Sequence, residues 1–132
     1  MQDHRSLRAW QEAHAVTLGV LRLSRDSWKP YAAALFSQLQ RSSLSVELNI
    51  AEGYSFGNTA TYTRHLGIAY GSLVETIELL RIGMEAEVLP SQMGNAVMQH
   101  ATNARRLLLS LLKYRRPFPE WTWTQGRRKS EE

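Results

Sequence analysis

The sequence predicts an all-α protein, an antiparallel up-down four-helix bundle with an irregular C-terminal tail. Three observations lead there. Proline and glycine punctuation divides the 132 residues into four long segments and a tail. Each segment repeats its apolar residues at the 3,4 spacing of an amphipathic helix. The connections are short and no β-rich run occurs. The helices are expected at about 5–26, 31–54, 58–87 and 91–115, so residues 1–116 form the bundle and 117–132 an extended or disordered, Trp-containing basic tail.

In the first segment Leu7, Trp10, His14, Thr17 and Leu21 fall at 3,4 spacing, with Ala9, Ala13, Val16, Val20 and Leu23 as an adjacent row. Asp3 or Ser6 is the expected cap, and Pro30 disfavours helical geometry at Lys29, which ends the segment. The second segment places Leu35, Leu39, Val46 and Ile50 on one face, with small Ser42 and Ser43 in the turn between. Gly53, Gly57 and Asn58 follow as turn residues, and Asn58 suits the N-cap of the next helix. The third segment holds a heptad seam of Tyr62, Leu66, Ala69, Leu73, Ile77, Leu80 and Met84. Gly67 and Gly71 lie beside it. A mid-helix glycine costs on the order of 1 kcal/mol relative to alanine, so close backbone approach inside the bundle or between subunits is the expected compensation. After Leu89 and Pro90, Ser91 is the expected cap of a fourth helix carrying Met93, Val97, His100, Ala104, Leu107, Leu111 and Tyr114 on one stripe.

Composition excludes several classes of function. There is no cysteine, hence no disulfide framework, thiolate metal site or cysteine nucleophile, which fits a cytoplasmic protein. The apolar stretch at residues 107–112, interrupted by Ser110, falls far short of the roughly 20 residues a membrane span requires. The chain starts polar and charged, without the apolar core of a signal peptide. His4, His14, His65 and His100 are scattered, and no Glu-x-x-His motif of a di-iron bundle occurs. No metal or other cofactor is expected, and His14 and His100 read as partly buried, hydrogen-bonded histidines.

Charge is uneven along the chain. The net charge of +4 divides into +3 over residues 1–43, −4 over 44–90 and +5 over 91–132, and 13 of the 16 cations are arginine, whose planar fork suits phosphate and carboxylate. Antiparallel packing of the first and fourth helices brings Arg5 and Arg8 to the end that carries Arg105, Arg106, Lys113, Arg115 and Arg116. With Arg127, Arg128 and Lys129 of the tail these are the candidate nucleic-acid contacts. Phe118, Trp121 and Trp123 are the candidate oligomer contacts, with base stacking as the alternative role.

The segments Leu7-Arg8-Ala9-Trp10-Gln11-Glu12-Ala13, Gln38-Leu39-Gln40-Arg41-Ser42-Ser43 leading to Asn49-Ile50-Ala51-Glu52-Gly53, and Ala69-Tyr70-Gly71-Ser72-Leu73-Val74-Glu75 are together similar to the 23S rRNA intervening-sequence protein family. The resemblance spans about residues 7–112. It implies a small bacterial four-helix bundle that assembles as a homopentamer and has no established enzymatic activity. Through related accessory proteins of diversity-generating retroelements it further implies nucleic acid and a reverse transcriptase as partners. The tail after Tyr114 departs from the family pattern.

The motif residues form a candidate polar cluster of Arg41, Ser45, Asn49, Glu52, Arg64, Ser72 and Glu75. In a hairpin turning near Phe56, positions whose numbers sum to about 112–116 face one another. This pairs Glu52 with Arg64 and Arg41 with Glu75, and aims Asn49 across to the third helix. Such groups set register more than they add stability; a carboxylate catalytic or metal site is the alternative. The expected function is therefore a non-enzymatic, homo-oligomeric bundle that binds RNA or other nucleic acid, with a protein-protein scaffold as the competing class.

Overall fold

A computed structural model describes residues 3–113, and among them every regular element is helical. A 3-10 turn, His4–Ser6, precedes α1 (Arg8–Ser27); a second, Pro30–Ala32, leads into α2 (Ala33–Phe56). Helices α3 (Thr59–Glu85) and α4 (Ser91–Lys113) follow. Each helix packs only on its neighbours, α1 on α2, α2 on α3, α3 on α4 and α4 on α1, which is the up-down bundle expected from the periodicity. The tail and the last residues anticipated for the fourth helix, Tyr114 and Arg115, lie outside the described residues.

Local chemistry sets the helix ends. Asp3 caps the first 3-10 turn by accepting from the Arg5 backbone N–H at 2.9 Å. The α1 helix itself starts after Leu7, which contributes no side-chain cap. Between α2 and α3, Gly57 takes the left-handed conformation (φ 72°) that terminates a helix, and Asn58 accepts from the Thr61 N–H at 2.9 Å to begin the next. At the start of α4 the expectation for Ser91 needs correction. Ser91 is the first helical residue, and the Pro90 carbonyl receives the Gly94 N–H at 2.8 Å, so the capping place belongs to Pro90.

The core runs down the common axis: Ala13, Val16, Val20 and Leu23 of α1; Phe36, Leu39, Val46 and Ile50 of α2; Leu66, Leu73, Ile77 and Leu80 of α3; Val97, Ala101, Ala104 and Leu108 of α4. On α1 the adjacent row Ala9, Ala13, Val16, Val20 and Leu23 is buried together with Thr17, while Leu21 is 44% exposed. On α4 Val97 and Ala104 of the anticipated stripe are buried, but Gly94, Ala101 and Leu108 take the inward places expected of Met93, His100 and Leu107. Ala9 and Ala13 of α1 and Ala101 and Ala104 of α4 are all buried, and small side chains of this kind let helices approach more closely than leucines would. Tyr62 closes the core beside the α2–α3 turn, edge-on to Tyr54 with ring centroids 6.2 Å apart, and burial pushes its hydroxyl up to about 12.

Glycine placement also differs from expectation. A Cβ on Gly67 or Gly71 would meet nothing within 4 Å, so neither residue serves packing inside the bundle. Tight approaches are found instead at Gly19, where a Cβ would come within 2.5 Å of Val97, at Gly94, within 2.6 Å of Met84, at Gly83, within 2.6 Å of Leu89, and at Gly53, within 2.7 Å of His65. Gly19→Ala is accordingly expected to cost about 1–3 kcal/mol through overpacking. Gly67→Ala and Gly71→Ala should each raise stability by roughly 1 kcal/mol through helix propensity alone. Urea unfolding of the three variants against the parent protein checks the contrast in sign.

Candidate functional site

The candidate polar residues line the seam between α2 and α3, but they do not all take part. On α2, Ser42, Ser45 and Asn49 follow one another at helical spacing, and opposite them on α3 stand Thr76, Ser72 and His65. Ser45 and Ser72 hydroxyls share a hydrogen bond of 2.8 Å. The Thr76 hydroxyl donates to Ser42 Oγ at 2.8 Å, with both residues buried. At the solvent edge the Arg41 guanidinium reaches Glu75 at 2.7 Å and also holds the side chain of Gln38. Both partners are largely exposed, so this pair contributes at most about 1 kcal/mol.

Asn49 joins the helices through His65, a residue outside the anticipated cluster. Its side-chain amide donates to the Ser45 carbonyl at 2.8 Å, so its own carbonyl oxygen faces His65 and accepts from Nδ1 at 2.9 Å. That network assigns the proton of His65 to Nδ1. The imidazole is buried and stacks on Phe56, with ring centroids 5.7 Å apart and 20° between planes. Gly53 makes room for it, since a Cβ there would approach the His65 Cβ to 2.7 Å. The sequence Asn49-Ile50-Ala51-Glu52-Gly53 thereby acquires a structural account. Asn49 orients His65, Ile50 enters the core and Gly53 admits the imidazole.

Glu52 and Arg64 do not form the anticipated pair. Both are exposed and neither side chain has an ion pair or hydrogen bond among the described residues. Successive side chains on a helix are rotated by about 100°, so with His65 turned into the seam its neighbour Arg64 points outward. The hairpin sum rule accommodates this outcome, because the numbers of Asn49 and His65 also satisfy it. Charge complementarity favours Arg64 over His65 as a partner in the sequence, since a neutral imidazole gives no ionic signal.

Two further contacts use the other histidines to tie α1 to its neighbours. His14 Nδ1 lies 3.0 Å from Glu47 of α2 and stacks on Trp10 at 4.7 Å, while His100 Nδ1 of α4 lies 2.6 Å from Glu12. One oxygen of Glu47, Oε1, is buried without a hydrogen-bond partner. Among the described residues no group of three or more His, Asp or Glu could hold a metal ion.

The basic candidates gather at the end where α1 starts and α4 stops. Ser6, Leu7, Arg8 and Ala9 line a groove together with Leu107, Ser110 and Leu111, which places Arg8 beside the last turns of α4. Arg105, Arg106 and Lys113 belong to the same half of α4 and are exposed. Arg5 is less available: it pairs with Asp3 at 2.7 Å, and its guanidinium holds the Asp3 carboxyl below the usual carboxylate range. Arg106 donates to Asn103 at 2.8 Å. Arg8 and Arg105 make no ion pair among the described residues. Arg115, Arg116, Arg127, Arg128, Lys129, Phe118, Trp121 and Trp123 lie outside the described residues. No described helix is long and apolar enough to cross a membrane.

The seam makes a clear demand on stability. Asn49→Ala strands a buried imidazole N–H and is expected to cost about 1–3 kcal/mol, whereas Glu52→Ala, at an exposed and unpaired site, should stay within about 0.5 kcal/mol. Thermal and denaturant unfolding of the two variants side by side provides the measurement.

The family described as 23S rRNA-intervening sequence protein matches residues 5–110. No curated relative matches the chain. The bundle is similar to a crystal structure at 1.70 Å of a protein of unknown function from the S23 ribosomal protein family of Bacteroides thetaiotaomicron VPI-5482. That likeness has a TM-score of 0.70 and 19% identity, and covers 80% of this chain and 98% of that one. At that identity it speaks for the fold alone. The family match covers all but the outermost described residues and includes the motif segments of α1, α2 and α3, and the chain belongs to the 23S rRNA-intervening sequence protein family.

Proposed function

We propose that this protein is a non-enzymatic, homo-oligomeric helical bundle that works in the cytoplasm and binds RNA or another nucleic acid through phosphate contacts at its basic end. The observation that carries this reading is the gathering of Arg8, Arg105, Arg106 and Lys113 where α1 begins and α4 stops, with Arg8 and Arg105 free of carboxylates among the described residues. Exposed guanidinium groups without internal partners keep their capacity for phosphate oxygens. In a ring of subunits the end repeats, and individually weak phosphate contacts add through effective concentration. The non-enzymatic reading draws on the α2–α3 seam, where the polar side chains satisfy one another.

Binding of a structured RNA should weaken steeply with salt, each phosphate contact adding about 0.9 to the slope of log affinity against log salt. Arg105→Glu combined with Arg106→Glu should reduce that slope by about 2. Fluorescence anisotropy across a salt series measures both. Absence of binding at roughly 50 mM salt would reject the nucleic-acid reading.

A second reading, a scaffold for protein partners such as a reverse transcriptase, is favoured by the outward faces of α2 and α3. Leu44, Leu48, Ile68 and Val74 are each more than 40% exposed there, around the side-chain-free positions Gly67 and Gly71. An apolar face of this kind suits a second copy of the chain, a pentamer by the family resemblance, or a different protein. Light scattering is expected to report a particle several times the 15.1 kDa chain, reduced toward one chain by Leu48→Asp with Ile68→Asp. A parent protein that is monomeric at micromolar concentration would overturn the oligomer, and a stable oligomer that retains no RNA would favour the scaffold.

A further inference from the structure

The turn between α2 and α3 lies at the end of the bundle where α1 begins and α4 stops, the end that carries Arg8, Arg105, Arg106 and Lys113. Phe56, the last residue of α2, is 59% exposed there. The turn itself does not call for an aromatic ring, since Gly57 supplies the left-handed conformation and Asn58 the cap of α3. One face of the Phe56 ring rests on His65, and Asn49 holds that imidazole by the 2.9 Å hydrogen bond to its Nδ1. With one face covered in this way, the exposed area belongs to the opposite face and the edge. The result is a flat apolar platform fixed in place before anything binds.

Two charged side chains adjoin the platform. Glu52 stands one helical turn before Phe56 on α2, so the two are neighbours on the same helix face. Arg64 directly precedes His65 on α3. Both are exposed, and neither side chain has a partner among the described residues. The other described carboxylates in this half of the bundle, Asp3, Glu12 and Glu47, lie against Arg5, His100 and His14. An unpaired carboxylate among cations works against phosphate, and its chemistry suits a neutral group with hydrogen-bond donors. Guanine offers two donors side by side on its Watson–Crick edge, N1–H and the N2 amino group, which one carboxylate accepts together. Adenine and cytosine place an acceptor beside their amino group, and uracil places carbonyls on both sides of its single N–H. A protein guanidinium has paired donors too, but it is a cation, which the surrounding arginines repel. We propose that Phe56 stacks an unpaired guanine of a nucleic-acid strand, that Glu52 reads its Watson–Crick edge, and that Arg64 holds an adjoining phosphate. This inference rests on the nucleic-acid reading above and names the base it selects.

The test uses the full-length protein and a fluorescein-labelled RNA hairpin whose loop is all adenine except for one central guanine. Anisotropy compares it with hairpins carrying adenine or inosine at that place. The parent protein should bind the guanine hairpin about tenfold more tightly than the adenine hairpin, with inosine, which lacks the N2 amino group, in between. Glu52→Ala should bring the three affinities together. Phe56→Leu should weaken binding of the guanine hairpin about tenfold without changing the salt slope, and Phe56→Tyr should keep it. Helical circular dichroism reports folding, and the exposed Glu52 site keeps the base-preference measurement independent of any defect at Phe56. Equal affinity of the parent protein for the three hairpins, with a steep salt dependence, would overturn the base reader and leave the phosphate reading standing. A guanine preference that survives Glu52→Ala in folded protein would also overturn it. Guanosine monophosphate that competes as well as the guanine hairpin would overturn it in favour of a mononucleotide site. No binding of any hairpin at roughly 50 mM salt would overturn both readings.

Discussion

Burial of one apolar stripe per helix along a shared axis holds the four rods together, and this attraction is indifferent to direction. Two helices lined with leucine and alanine can slide by a turn and lose little buried area. What distinguishes one register from the next is whether the polar atoms trapped between the helices find partners, because a stranded buried donor costs more than a slightly poorer apolar fit. In this protein that condition falls on the α2–α3 seam. The Ser42–Thr76, Ser45–Ser72 and Asn49–His65 pairs are all satisfied together in the observed register.

Around that seam the remaining contacts are graded by exposure. Arg41 and Glu75 meet in solvent, where their attraction is screened, and His14–Glu47 and His100–Glu12 tie α1 to its flanking helices from half-exposed positions. Steric complementarity does comparable work where no polar pair exists. Val97 seats against Gly19 and Met84 against Gly94, so the glycines at these contacts are keyed to large neighbours. The outer faces are under neither constraint. They carry exposed leucine, isoleucine and valine on α2 and α3, and on α1 and α4 they carry Arg8 and Arg105, which have no ion pair among the described residues.

The chain's similarity to a protein of known structure at 19% identity illustrates how little of the sequence the fold requires. Apolar periodicity, helix stops and a few small residues at crossing points suffice for four helices of this length. The stretch from Asn49 to Gly53 asks for more, because an amide, an imidazole and a missing side chain must coincide across two helices. A motif of that kind reports on the geometry of the scaffold and does not by itself imply chemistry on a substrate.

The sequence by itself determined the number, order and approximate limits of the helices, because periodicity and turn residues are local properties that act within a few residues of chain. It also determined the accumulation of arginine toward the two termini, and antiparallel pairing turned that into a basic end. Tertiary structure decided which of two adjacent rows on α1 faces inward, that Gly19, Gly53, Gly83 and Gly94 make tight contacts while Gly67 and Gly71 stand open, and that His65, in place of Arg64, enters the seam. Those outcomes turn on rotations of a fraction of a helical turn, set jointly by every side chain at an interface. A one-residue step in sequence is about 100° around the helix, enough to exchange a buried partner for an exposed one.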